Sequence, residues 1–139
     1  MRRRDLQQLA SVERAPVVFQ ERVPKRLELR VTVVGERAFA AALDSAASPF
    51  AREDVRRADG LVACAPHALE ARVEALCRRL VRDLGLTYGA IDLVLTPEGE
   101  HVFLEINPSG RWAWVEERAG LPITAALADL MVGARGRRV

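Results

Sequence analysis

Three side chains in the second half of the chain, Asp92, Glu105 and Asn107, have the types and spacing to hold a metal ion. Residues 88–96 and 101–107 flank the turn-forming run Pro97-Glu98-Gly99-Glu100, a pattern that reads as a β-hairpin. With those four residues as the loop, Thr96 lies opposite His101, Val94 opposite Phe103 and Asp92 opposite Glu105. Side chains alternate across a strand, so Asn107 shares the face of Glu105. Two carboxylates set directly opposite each other repel. A cation relieves that repulsion, and two carboxylates with an amide oxygen suit Mg²⁺, which completes its octahedron with waters and phosphates. The same pair could also face solvent at a sheet edge, and the pattern alone leaves both readings open. The other face, Ile91, Leu93, Leu95, Val102, Leu104 and Ile106, is wholly aliphatic and reads as core.

The elements that must position these side chains are predicted from periodicity. Residues 27–34 alternate, with Leu27, Leu29, Val31 and Val33 on one face and Glu28, Arg30 and Thr32 on the other. Gly35-Glu36 fits a two-residue hairpin turn, and 37–43 would return as a strand. Upstream, 5–13 reads as a polar helix closed by Ala15-Pro16, and 17–23 as a strand interrupted by Pro24-Lys25-Arg26. Residues 44–60 have no period and read as a loop. Pro66 can open a helix running to Leu84, with Leu69, Val73, Leu76, Leu80 and Leu84 as its apolar stripe and Gly85 as terminator. A short helix is predicted over 112–118, and a last one from Pro122 with Ile123, Leu127, Leu130 and Met131 facing inward. The sum is an α+β domain, an antiparallel sheet flanked by helices. Residues 1–14 would form a helical arm, 15–133 the domain, and 134–139 a basic tail.

Composition narrows the function classes. At 139 residues, the chain can build one domain with a real core. A net charge of +2 is too mild to argue for nucleic acid, and arginine supplies all but one of the 21 basic residues, the exception being Lys25. Cys64 and Cys77 form neither a CxxC motif nor a Cys/His cluster, which points to two free thiols in a reducing cytoplasm. No run of ~18 apolar residues is present for a membrane span, and no signal-peptide core follows the basic first residues. His67 and His101 have no ligand partners at metal spacing.

The run Gly89-Ala90-Ile91-Asp92, followed by Phe103-Leu104-Glu105-Ile106-Asn107-Pro108, resembles the metal-binding end of the ATP-grasp ligases. Two further stretches, Phe19-Gln20-Glu21-Arg22-Val23-Pro24-Lys25 and Glu28-Leu29-Arg30-Val31-Thr32-Val33-Val34-Gly35, look like the hinge and next strand of the peptide-modifying branch. Asn107-Pro108-Ser109-Gly110-Arg111-Trp112 with Gly120-Leu121-Pro122-Ile123 is similar to the microviridin-type (graspetide) macrocyclases. The resemblance covers nearly all of residues 15–133. It implies that the chain is the C-terminal lobe of the fold and that Asp92, Glu105 and Asn107 hold the Mg²⁺ ions bridging the ATP phosphates. It further implies that Gln20, Glu21, Arg22 and Val23 meet the adenine through their backbone and that Glu28 holds the ribose hydroxyls. Arg30 would stabilise charge on the transferring phosphate or the acyl phosphate, although a Glu-x-Arg pair on one strand face could instead satisfy itself. Asp54 and Arg56 stand where the macrocyclases carry an Asp-aromatic-Arg triplet associated with the peptide; Val55 in the middle departs from it. Lys25 could approach a phosphate or be an exposed charge, and Trp112 and Trp114 are expected to pack the short helix.

The resemblance implies an ATP-dependent carboxylate ligase working through an acyl phosphate, with a precursor peptide as substrate and amide or ester cross-links as product. Other readings are a ribosomal-protein glutamate ligase, a glutathione-synthase-like ligase, or a non-catalytic lobe that binds a peptide. No Gly-rich phosphate-covering loop stands before the hinge, and no lysine precedes Lys25. The expectation is therefore that the N-terminal half of the site comes from a longer protein or a separate chain, or that activity has been lost.

Overall fold

Runs rich in β-branched and aliphatic residues at 27–34 and 88–95 make the central strand of one five-stranded sheet and its neighbour. The computed structural model describes residues 20–44 and 63–135. In chain order the elements are β1 (Leu27–Val34), β2 (Arg37–Asp44), β3 (Ala63–Pro66), α1 (Ala71–Asp83), β4 (Tyr88–Leu95), β5 (His101–Asn107), α2 (Ala113–Ala119) and α3 (Ile123–Arg135). The sheet order is β3-β2-β1-β4-β5, and every neighbouring pair is antiparallel. This is the α+β architecture expected from the sequence. Only Gly35 and Glu36 lie between the paired residues Val34 and Arg37. The positive φ of 57° falls on Gly35 and, among the described residues, no non-glycine residue has one, the pattern of a type II′ turn.

The two faces of the sheet are packed differently. Leu29, Val31, Val33, Ala40, Ile91, Leu93 and Leu95 close over Cys77 and Val81 of α1. On the opposite face Val34 and Ala41 pack with Val115 and Ala119 of α2 and Ile123 and Ala126 of α3. Glu116 fixes the start of α3, its carboxylate accepting from the backbone N–H and the hydroxyl of Thr124 at 2.7 and 2.6 Å.

Several expectations are corrected. Pro66 does not open a helix; it ends β3 at the sheet edge, opposite Ala41, where a missing N–H is tolerated. The helix begins at Ala71, and its buried line runs through Cys77 and Val81, four residues apart, while Leu76 and Leu84 are 54% and 53% exposed. Leu76 lies one residue, about 100° of helix rotation, from that line. Met131 is likewise outward, 64% exposed, one residue past the half-buried Leu130. Residues 20–25 are not in a strand, so the described part of the strand expected over 17–23 is absent. Its remainder, the 1–14 arm, most of the 44–60 loop and the end of the tail lie outside the described residues.

The hairpin of β4 and β5 gives the most instructive difference. Leu95 pairs with His101, Val94 with Val102 and Leu93 with Phe103, one residue out of the register a four-residue loop demands. A bulge at Leu104 then absorbs the extra residue, and Asp92 pairs with Glu105, Ile91 with Ile106 and Ala90 with Asn107. Val102 thus falls opposite Val94 and Phe103 opposite Leu93. Val102 and Leu104 are not the core residues the simple alternation suggested; Leu104 is 38% exposed.

Candidate active site

β1, β4 and β5 lie side by side, so their polar residues form registered rows on the sheet face that α2 and α3 partly cover. One row is Arg30–Asp92–Glu105. The next towards the helices is Thr32–Ala90–Asn107, and the next away from them is Glu28–Val94–Val102. The structure therefore brings together Glu28, Arg30, Asp92, Glu105 and Asn107, residues up to 79 positions apart in the sequence. Directly opposed side chains in an antiparallel pair have Cβ atoms about 5 Å apart, close enough for two carboxylates to share one cation.

Arg30 is the hub of the site. Its Nη1 lies 3.1 Å from both carboxylate oxygens of Asp92. Its Nε is buried with no hydrogen-bond partner. The guanidinium carbon stands 5.9 Å from the Trp114 ring centroid, and that of Arg118 is the same distance from the same ring. The ring of Trp114 thus does more than pack α2. Glu28 does not pair with Arg30, so the self-satisfied Glu-x-Arg arrangement is not what forms; Glu28 accepts from Lys25, which is half-buried rather than freely exposed. Thr32 is fully buried, and its hydroxyl also has no partner.

The chain after β5 folds back onto this face. Asn107 Oδ1 accepts from the Ser109 backbone N–H at 2.9 Å, an Asx turn, and the Tyr88 hydroxyl donates to the Gly110 carbonyl. Gly110 is required by contact: a Cβ there would lie 2.5 Å from that of Ala90. Burial pushes the Tyr88 hydroxyl above its usual pKa, and the charge of Arg30 pulls the other way. Burial likewise raises the Cys64 thiol, opposed by Arg118. Cys64 and Cys77 pack on opposite faces of the sheet.

Gln20, Glu21 and Arg22 are exposed and Val23 is half-buried, in a non-strand segment leading to β1. Asp54 and Arg56 lie outside the described residues. Among the described residues no three His, Cys, Asp or Glu side chains form a metal cluster. The candidate donor set is two carboxylates and an amide. The roles of Trp114 and Arg118 were not read from the sequence, because nothing local shows that α2 folds over β1.

No family model matches the chain, and no curated protein does. Solved structures match closely. A Chryseobacterium gregarium RiPP-associated ATP-grasp ligase, in complex with ADP and a leader and core peptide, is 32% identical with a TM-score of 0.87. The macrocyclase MdnC of Microcystis aeruginosa MRC, bound with precursor peptide MdnA, is 38% identical with a TM-score of 0.80. The match covers 96% of this chain and 41% of each ligase, so the chain spans about two-fifths of their length. The ligase PsnB, in complex with a phosphomimetic variant of its minimal precursor, Mg and ADP, has a TM-score of 0.77 at 22% identity, a likeness of fold alone. The fold is therefore that of an ATP-grasp lobe. Within that class, the chain is similar to ligases of ribosomally made peptides of the microviridin type, as the runs 107–112 and 120–123 imply.

Proposed function

We propose that residues 15–133 are the C-terminal lobe of an ATP-dependent ligase that cross-links a ribosomal precursor peptide. In the reaction a peptide carboxylate takes the γ-phosphoryl group of ATP, and an amine or hydroxyl of the same peptide then displaces phosphate. An amide or ester results. The observation that carries this reading is the row Arg30–Asp92–Glu105, with Asn107 in the row beside it.

Asp92, Glu105 and Asn107 would hold Mg²⁺, which would supply neutralisation of the phosphate charge. The fit is supported by the donor chemistry and by the two partnerless buried donors beside it, Arg30 Nε and the Thr32 hydroxyl, which phosphate or carboxylate oxygens would satisfy. Arg30 would steady the anionic group being transferred. Glu28 would accept from the ribose hydroxyls, with Val94 and Val102 as an apolar floor beside it. The backbone of Gln20, Glu21, Arg22 and Val23 would meet the adenine edge, and Asp54 and Arg56 would contact the peptide. The other half of the site would come from the rest of a longer protein or a separate chain. The partners in this reading are the peptide and that half, with no nucleic acid and no membrane; the place is the cytoplasm. Among the described residues no helix is long and apolar enough to cross a membrane. Residues 1–14 and 134–139 would be an arm and a tail outside the lobe.

The test is to incubate the complete ligase with Mg-ATP and a precursor peptide and to follow peptide mass and ADP. Loss of one water per bond, with one ADP formed for each, is the expected result. ADP release with an unchanged peptide would overturn the peptide assignment, and absence of nucleotide binding would overturn the ligase reading.

A further inference from the structure

Two carboxylates of the site, Glu28 and Asp92, are each engaged by a cation of the chain itself. Lys25 donates to Glu28, and Arg30 presents Nη1 to both oxygens of Asp92 at 3.1 Å. Asp92 stands in the middle of its row, with Arg30 opposite on β1 and Glu105 opposite on β5. A guanidinium and a divalent ion on one carboxylate repel each other, and each takes lone pairs the other needs. The rest of the Arg30 head is held in an unfinished state. Its Nε is buried without a partner, and its guanidinium carbon stands 5.9 Å from the centroid of the Trp114 ring.

We infer that Arg30 and a divalent cation compete for Asp92, so that metal binding frees the guanidinium to engage an acidic group of the substrate. The inference rests on the metal reading of Asp92 and Glu105 proposed above. In the metal-free lobe Arg30 is the internal counter-ion that keeps the opposed Asp92 and Glu105 from repelling. Once the metal takes that part, a planar donor head with a partnerless Nε is left beside the metal, suited to bidentate capture of a carboxylate or phosphoryl oxygen pair. Metal loading and substrate capture are thereby coupled through one side chain. The acidic group of the substrate meets a receptive arginine only after the metal is in place.

The experiment measures Mn²⁺ binding to the 139-residue chain by electron paramagnetic resonance, in the parent and in R30Q, D92N and E105Q. Competition predicts that R30Q binds Mn²⁺ roughly tenfold more tightly than the parent, the size of an ordinary coupling between sites. D92N and E105Q should bind it far more weakly. Unchanged or weaker binding in R30Q, with binding lost in D92N, would overturn the competition and leave the metal reading standing. Parent-like binding in D92N and E105Q, or no binding in any variant, would overturn the metal reading itself. A second measurement keeps Arg30 in place in case R30Q does not fold. In W112F, which leaves Trp114 as the only tryptophan, Mg²⁺ should shift the Trp114 emission as the guanidinium moves. An emission that saturating Mg²⁺ does not move would overturn the inference.

Discussion

One strand, β1, builds both faces of the sheet, and the two faces obey different rules. Leu29, Val31 and Val33 are at most 1% exposed and pack with apolar residues of α1, β2 and β4. Glu28, Arg30 and Thr32, between them in the sequence, carry charge and hydroxyl onto a face that α2 and α3 leave partly open. The α1 face is closed by apolar packing along the length of β1, whereas the apolar packing of the other face gathers at Val34 under α2 and α3. On the other face Arg30 Nε and the Thr32 hydroxyl are buried without partners. Each such orphan costs about 1–3 kcal/mol. The site face thus holds stability in reserve for whatever satisfies these donors, while on the α1 face, among the described residues, only His101 Nε2 at the rim lacks a partner.

The sharpest way to break the comparison is to change one residue on each face. If the proposed function holds, Glu105→Gln in a complete ligase should lower turnover by at least about 10²-fold, because the proposed metal site loses an anionic oxygen. Circular dichroism should be unchanged, since Glu105 is exposed. Peptide dehydration within a few-fold of the parent would remove Glu105 from the site. Ile91→Ala is the counterpart, next to Asp92 but fully buried on the α1 face. It should cost about 2–5 kcal/mol of stability, read by urea unfolding, from lost burial and the cavity left behind. A cost below about 1 kcal/mol would mean the α1 face is not tightly closed there.

A smaller effect is expected where the chain folds back over the site. Gly110→Ala would set a methyl group 2.5 Å from the Ala90 Cβ, and the turn after Asn107 must lift to make room. A loss of about 1–3 kcal/mol is expected, as for other overpacked positions. Ala90→Gly in the same chain should recover part of it, since the two sites are in contact and their effects cannot add. Purely additive losses would show that the clash is relieved elsewhere.

The pairing at the candidate site was more legible in the sequence than the details around it. Asp92 and Glu105 pair as expected although the register nearer the turn is out by one, because the Leu104 bulge restores the pairing the four-residue loop gives. A bulge has no local signature here, so the faces of Val102 and Leu104 were not legible. β3 was missed because Ala63-Cys64-Ala65-Pro66 is too short to show a period and ends in proline. Of the apolar stripe expected for α1, Leu69, Val73 and Leu80 do pack against the core, but Leu76 and Leu84 outrank Cys77 and Val81 in size and not in position. The Arg30–Asp92 contact spans 62 residues and depends on β4 joining the far side of β1, which periodicity cannot show. What local spacing encodes was readable, and what strand order decides was not.

Thr32→Val tests the reserve directly. The Thr32 side chain is fully buried, and its hydroxyl has no partner. Valine keeps the β-branched shape and removes the unsatisfied group, so stability should rise by about 1 kcal/mol. Urea unfolding of the two chains gives the answer. A loss of similar size would show that the hydroxyl is satisfied in solution and that the site face holds less in reserve than its geometry says.

The smallest effect lies at the rim of the α1 face, where the third orphan, His101 Nε2, is found. His67, whose backbone N–H bonds to the Ala40 carbonyl, is held below the ordinary imidazole pKa there. Desolvation is the main cause, followed by the nearby charges of His101 and Arg26. The folded chain therefore binds a proton at His67 less readily than the unfolded chain does. Its contribution to stability is complete above the ordinary imidazole value of about 6.5 and is lost as pH falls through that value, levelling off below the lowered folded-state value. His67→Gln removes this share and nothing from the site face. Urea unfolding at about pH 8 and about pH 5 should therefore show a smaller acid-induced loss in H67Q than in the parent. Equal losses in the two chains would mean that His67 is as well solvated in the fold as outside it, and that the α1 face is closed at its centre but not at this edge.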